Sequence, residues 1–255
     1  MREIRRPSWN PSGSYTNATP VPSTLGGIAA GTTFDAVPLE DLVTDLLYPY
    51  QAPAFSSFGF SQTSPIEVGI TISGTKTFTW GTTNSGNVSP NTLVIRDVTG
   101  AADLATGLAN DGTESLGIGT VQKTSAASHV WRITGTNTQS DTFTRDQTVT
   151  WQWKRFYGES VTTPLDESGI EGLRVGGLAS SFAGTYSFSA GGYKYLCYPT
   201  VFGTATSFKD ASTNLDIPFE APYTVSVTNT LGQTTDYRVH RTTNILGSAL
   251  SIVVA

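Results

Sequence analysis

The sequence predicts a mainly β protein. The expected order is an extended N-terminal arm with one short amphipathic helix (residues 1–50), an antiparallel β-sandwich (51–158) and a second, smaller β module (159–255). Three observations predict it. Apolar residues alternate with Ser, Thr and Gly at period two over much of residues 51–255. Clusters of Gly, Asn, Asp and Pro punctuate that stretch roughly every 8–15 residues, which suits about seven sandwich strands. Only residues 38–49 carry a clear helical spacing.

Composition agrees and excludes several classes of function. Hydrophobic residues make up 38% and charged residues 14%, against about 25% charged in an average soluble protein. Gly, Ser, Thr and Asn fill the difference, as strands with hydroxylated outer faces require. A net charge of −5 and a pI of about 5.0 do not attract phosphates, so nucleic acid is not an expected partner. Cys197 is the one cysteine, which rules out an intrachain disulfide and a multi-cysteine zinc site. No apolar run approaches the roughly 20 residues of a membrane-spanning helix. The opening Met-Arg-Glu-Ile-Arg-Arg-Pro has no apolar stretch behind it, so a soluble protein made in a cytoplasm is expected.

Residues 1–33 contain Pro7, Pro11, Pro20 and Pro22 among Ser, Thr, Asn and Gly, and no periodicity survives. Such a segment is either a disordered tail or an arm that orders on a neighbouring chain, for which Trp9, Tyr15, Val21, Leu25 and Ile28 supply buriable surface. The helix follows. Leu39, Leu42, Val43, Leu46 and Leu47 form one stripe, with Glu40, Asp41 and Asp45 off it. Pro38 suits a first turn, Glu40 and Asp41 favour the positive end of the dipole, and Pro49 stops the helix. A helix this short is marginal alone, so its stripe needs a cover.

Strands are expected at residues 53–61, 65–73, 75–80, 92–98, 115–121, 129–135 and 141–157. Ile66, Val68, Ile70 and Ile72 alternate, as do Val149, Trp151 and Trp153. Trp80 and Trp131 are expected to fill the space between two sheets, since no cysteine pair is present to do so. Trp151 and Trp153 share one face of one strand and serve either packing or, less economically, sugar stacking. Residues 166–173 read as a helical turn or a loop. A second β unit has one hairpin across Ala190-Gly191-Gly192, joining 185–189 to 193–198. Another crosses Asn229-Thr230-Leu231-Gly232, joining 223–228 to 234–241, and a strand at 249–254 closes the chain.

A series of segments resembles a known group. They are Leu39-Glu40-Asp41-Leu42 to Leu46-Leu47-Tyr48-Pro49-Tyr50, Ala52-Pro53-Ala54-Phe55, Glu67-Val68-Gly69 and Thr77-Phe78-Thr79-Trp80. Val227-Thr228-Asn229 and Asp236-Tyr237-Arg238-Val239-His240-Arg241-Thr242-Thr243-Asn244 complete it. Over residues 25–255 the chain resembles structural proteins of tailed-bacteriophage particles, found among tail, neck and baseplate-fibre components, which carry immunoglobulin-like β domains. The resemblance implies a non-enzymatic virion component, other virion proteins as partners, and a homo-oligomer with a trimer favoured. Two other roles stay open: a carbohydrate- or receptor-binding module that holds a host surface glycan, and a capsid decoration protein. In an assembly the leucine stripe is covered by symmetry copies, and in a monomer by the chain's own sandwich. Trp9, Tyr15, Leu39, Leu42, Val43, Leu46 and Leu47 are therefore the expected subunit-interface residues.

No catalytic, cofactor or metal constellation emerges. His129 and His240 lie far apart in the sequence, each in a strand pattern, with no clustered carboxylates. Asp166, Glu167 and Glu171 read as solvated loop acids in preference to a glycosidase pair. Asn110-Asp111-Gly112-Thr113-Glu114 lacks the ligand spacing of a calcium loop. Gly117-Ile118-Gly119 lacks the helix that a phosphate loop needs.

Overall fold

A computed structural model describes residues 14–17, 20, 28, 30–47 and 49–255. The fold is mainly antiparallel β. Near the N-terminus, β1 (Ser14–Asn17) pairs antiparallel with β2 (Phe34–Pro38), and α1 (Leu39–Leu47) follows directly. Pro38 closes β2, and its fixed φ leads into the helix at the next residue.

The next strands form two layers. One contains β3 (Ala54–Gly59), β5 (Thr71–Thr83) and β8 (Gly112–Gln122), in the order β3-β5-β8. The other contains β4 (Ile66–Glu67), β6 (Leu93–Asp97), β7 (Ala102–Leu108), β9 (Ala127–Thr136) and β10 (Thr142–Ser160), in the order β4-β10-β9-β6-β7. The pairing of β4 with β10 is parallel. Phe58, Phe78 and Trp80 from the first layer meet Trp131, Ile133, Val149 and Trp151 from the second in one apolar core. Phe60 bridges them, its ring 4.8 Å from Phe78 and 5.0 Å from Trp131, edge-on to both. The alternation that predicts strands is the alternation that fills this core.

Two details differ from the sequence reading. Residues 65–73 are not one strand. The chain leaves β4 at Gly69 (φ +95°), crosses to the other layer and starts β5 at Thr71. The break expected near Gly74 is instead a bulge within β5, with Gly74 at φ +79° and a register shift between Ser73 and Thr75.

β10 is 19 residues long and does not stop at the two-layer unit. Its first part pairs with β9 from Thr142 to Trp151. Its last part pairs with β11 (Arg174–Ala179) and with β13 (Tyr193–Pro199). From β13 the sheet runs on through β16 (Thr234–Arg241) to β15 (Tyr223–Thr228). One face of this extension is covered by α2 (Glu167–Glu171) and its flanks, with Leu165, Ile170 and Leu173 against Phe156, Tyr195, Tyr237 and Val239. The other face is covered by a three-stranded sheet, β12 (Gly184–Phe188), β17 (Leu250–Val254) and β14 (Phe208–Asp210). β13 is thus buried on both faces, which explains its unbroken apolar run from Tyr195 to Tyr198.

The hairpin expected across Ala190-Gly191-Gly192 does not form. β12 pairs with β17, and β13 pairs with β10 and β16. Gly191 and Gly192 (φ +81° and +66°) turn the chain from one sheet to the other. The hairpin across Asn229-Thr230-Leu231-Gly232 forms, with Thr228 opposite Thr234. Asp166 caps α2 by accepting the Gly169 N–H at 2.8 Å, which settles 166–173 as a helical turn.

Phe78 is fully buried between the layers, whereas Thr77 beside it faces solvent. Phe78→Ala is expected to cost about 3–5 kcal/mol. Thr77→Ala is expected to cost less than about 1 kcal/mol. Urea unfolding of the two variants checks this, and similar midpoints would place Phe78 outside the core.

Candidate functional site

The expected interface residues fall in and around α1. Leu39, Leu42, Val43 and Leu46 are half-buried, and Leu47 is 66% exposed. Among the described residues, none of α1 belongs to any of the three buried apolar clusters. Tyr15 lies in β1 opposite Val37. Trp9 lies outside the described residues. The helix therefore presents an apolar stripe that the body of the chain covers only in part.

The aromatics that a sugar-stacking surface would use are not exposed. Trp151 is 1% exposed, and its N–H donates to Ile70 O at 2.7 Å. Trp153 is 4% exposed, and Tyr193 is half-buried beneath the Arg241 guanidinium, 4.7 Å from the ring centre.

The histidines are more buried than half-buried strand positions would be. His129 packs 4.3 Å from the Trp131 ring. Its Nε2 is 2.8 Å from Asp97 Oδ1, off the line of a hydrogen bond, and Asp97 Oδ1 accepts the Gly100 N–H at 2.6 Å. His240 Nε2 is 2.8 Å from the Tyr198 hydroxyl. That hydroxyl also accepts the Ala205 N–H at 2.8 Å. Burial, aided by the charge of Arg238, lowers the His240 pKa to about 4.

Other polar groups are engaged in the same way. Lys194 is fully buried, and its ammonium donates to Ser189 O and Gly191 O at 2.6 Å and to Leu246 O at 3.3 Å. Burial lowers its pKa, while Glu159 opposes that shift. With its protons on three carbonyls, this amine is a strut and not a nucleophile. Arg155 reaches Ser181 O, Ala183 O and Gly176 O, and binds the Tyr186 hydroxyl at 3.0 Å. Cys197 is fully buried, and desolvation raises its pKa far above the ordinary thiol range. Among the described residues, no three His, Cys, Asp or Glu side chains gather as a metal site.

One cleft lies where the two parts of β10 meet. It has a volume of about 290 Å³. Trp153, Phe156, Val227 and Tyr237 form its floor. Glu67, Lys154, Glu171, Val175, Asn229 and Thr230 complete its walls and rim. Lys154 Nζ pairs with Glu67 Oε2 at 2.7 Å. The Tyr237 hydroxyl donates to Lys154 O at 2.8 Å, and the Asn229 side-chain amide donates to Val68 O at 2.7 Å. The sequence could not have disclosed this cleft, because its walls come from five separate segments.

Comparison with protein-family models, with curated proteins and with solved structures finds no match.

The pKa of His240 gives a direct test. An unfolded chain protonates this ring as pH falls through about 6.5, whereas the folded chain keeps it neutral down to about 4. Folding stability is expected to fall by up to about 3 kcal/mol as pH drops across that window, with no further loss from this group below it. In His240→Gln that part of the pH dependence disappears. Urea midpoints at pH 7 and pH 4.5 for both proteins check this, and equal slopes would refute it.

Proposed function

We propose that this chain is a non-enzymatic structural component of a tailed-phage particle, of the tail, neck or baseplate-fibre type. Copies self-assemble through the N-terminal segment, in the first instance as a trimer. The observation that carries this reading is the leucine stripe of α1. Leu39, Leu42, Val43 and Leu46 are half-buried, Leu47 is mostly exposed, and the stripe lies outside the buried clusters of the described residues. Burying such a stripe against its symmetry copies is favourable by roughly 25 cal/mol per Å² of apolar surface removed from water.

The β body fits that role. We infer that its first two-layer unit is an immunoglobulin-like sandwich. The order β3-β5-β8 corresponds to strands A, B and E, and β6, β7, β9 and β10 correspond to C, C′, F and G. Trp131 of β9 and Trp151 of β10 help to fill the core between its layers, where no disulfide is present. The hydroxylated outer faces of β5 and β8, with Thr77 opposite Ser115, keep an assembled particle hydrated. The particle setting rests on the resemblance of the quoted segments, and the assembly role rests on α1.

Leu42→Asp combined with Leu46→Asp is expected to yield a smaller species by light scattering, with the β circular-dichroism spectrum intact. An unchanged mass would sink the assembly role of α1, and so would a native protein that is already monomeric at concentrations of tens of micromolar.

A further inference from the structure

We propose that the cleft at the middle of β10 is an acceptor site for an arginine side chain from the start of the chain, residues 1–6, supplied by a second copy. This rests on the reading of the chain as a self-assembling protein and specifies the surface that its N-terminal arm meets.

The chemistry of the cleft selects the occupant. Its floor is apolar, with Trp153, Phe156, Val227 and Tyr237 all buried. Most of the polar groups that could read the hydroxyls of a sugar are already committed. The Tyr237 hydroxyl donates to Lys154 O, and the Asn229 amide nitrogen donates to Val68 O. Asn229 Oδ1 accepts the N–H groups of Leu231 (3.1 Å) and Gln233 (2.9 Å). Glu67 is paired with Lys154. Among the described residues, two lining side chains at the exposed rim have no hydrogen bond or ion pair, the Thr230 hydroxyl and the Glu171 carboxylate, and Glu171 is the one that carries charge. An apolar floor with one unpaired carboxylate at its edge fits an aliphatic stem ending in a cation. Arginine matches best, because its guanidinium is weakly hydrated, can pair with a carboxylate through two N–H groups and stacks on aromatic rings.

The chain contains a matching segment. Its first six residues hold Arg2, Arg5 and Arg6 against one acid, Glu3, while the whole chain carries −5. A basic arm and an acidic body attract each other, which steers association and sets its register. The arm precedes the leucine-striped helix in the same chain, so two contacts formed together gain from effective concentration.

The test uses the full chain carrying Arg2→Ala, Arg5→Ala and Arg6→Ala, so that its own arm does not compete. A fluorescein-labelled peptide of residues 1–13 is titrated against it by fluorescence anisotropy at low salt. Saturable binding is expected, and the same peptide with its three arginines replaced by alanine is expected not to bind. Glu171→Lys in the receptor is expected to weaken binding by about tenfold or more. Glu114→Lys, at another exposed acid, is expected to change it by less than about twofold. Thr230→Trp, which obstructs the cleft without altering charge, should also weaken binding, and thermal melts confirm that each receptor is folded. Absence of saturable binding overturns the proposal. So does equal weakening by Glu171→Lys and Glu114→Lys, which would mean diffuse attraction to an acidic surface. If the α1 double substitution lowers the mass while the peptide fails to bind, the acceptor site falls and the assembly role stands.

Discussion

One strand holds this molecule together. Over its 19 residues, β10 bonds to β9 and β4 in the two-layer unit, then to β11 and β13 in the second. Trp151 and Trp153 from its middle complete one core, and Phe156 from its later part belongs to the next. Side chains reinforce the junction on one side. Lys154 meets Glu67, the Asn229 amide reaches Val68 O, and the Tyr237 hydroxyl reaches Lys154 O. A bend at this point would break main-chain bonds and open buried apolar surface together. The two cores are thereby coupled through a single backbone.

Few charged residues are present, and many of them brace the frame. Arg145 holds Phe55 O, Arg155 ties together the connection from β11 to β12, and Lys194 clamps the Gly191–Gly192 crossover to the C-terminal segment. Buried charge and buried imidazole are expensive unless fully satisfied, and most of these groups donate to main-chain carbonyls. A residue spent in this way stabilises connections and is poorly placed to meet a substrate. The His129 and Trp131 ring nitrogens stay buried without a hydrogen bond, and at the surface the stripe of α1 is covered only in part and the junction cleft carries an unpaired carboxylate.

Much of the β architecture was legible because burial and strand period coincide. Val149, Trp151 and Trp153 alternate and point to one core, and Asn229 to Gly232 closes a hairpin as its composition implies. The helix was legible because five apolar residues share a face and two prolines bound it. The failures have physical causes. Glycine pairs mark sharp turns but do not say which strands pair across them, so Gly191–Gly192 looked like a hairpin and is a crossover. Gly69 and Gly74 carry the same local signal, yet one changes layer and the other bulges. β7 (Ala102–Leu108) has too little apolar contrast to be recognised, since it is an edge strand with mostly exposed side chains. The cleft was invisible because its walls are gathered by tertiary folding from residues 67, 153–156, 171–175, 227–230 and 237.

Coupling through β10 has a direct readout. Four of the five tryptophans, Trp80, Trp131, Trp151 and Trp153, are buried in the first core, and the single thiol, Cys197, is buried in the second. Tryptophan emission and thiol labelling followed through one urea titration report the two cores separately. Coincident transitions are predicted, because neither core can open without stripping bonds from the shared strand. Thiol exposure at a urea concentration where the tryptophans remain buried would contradict the coupling and make the halves independent bodies.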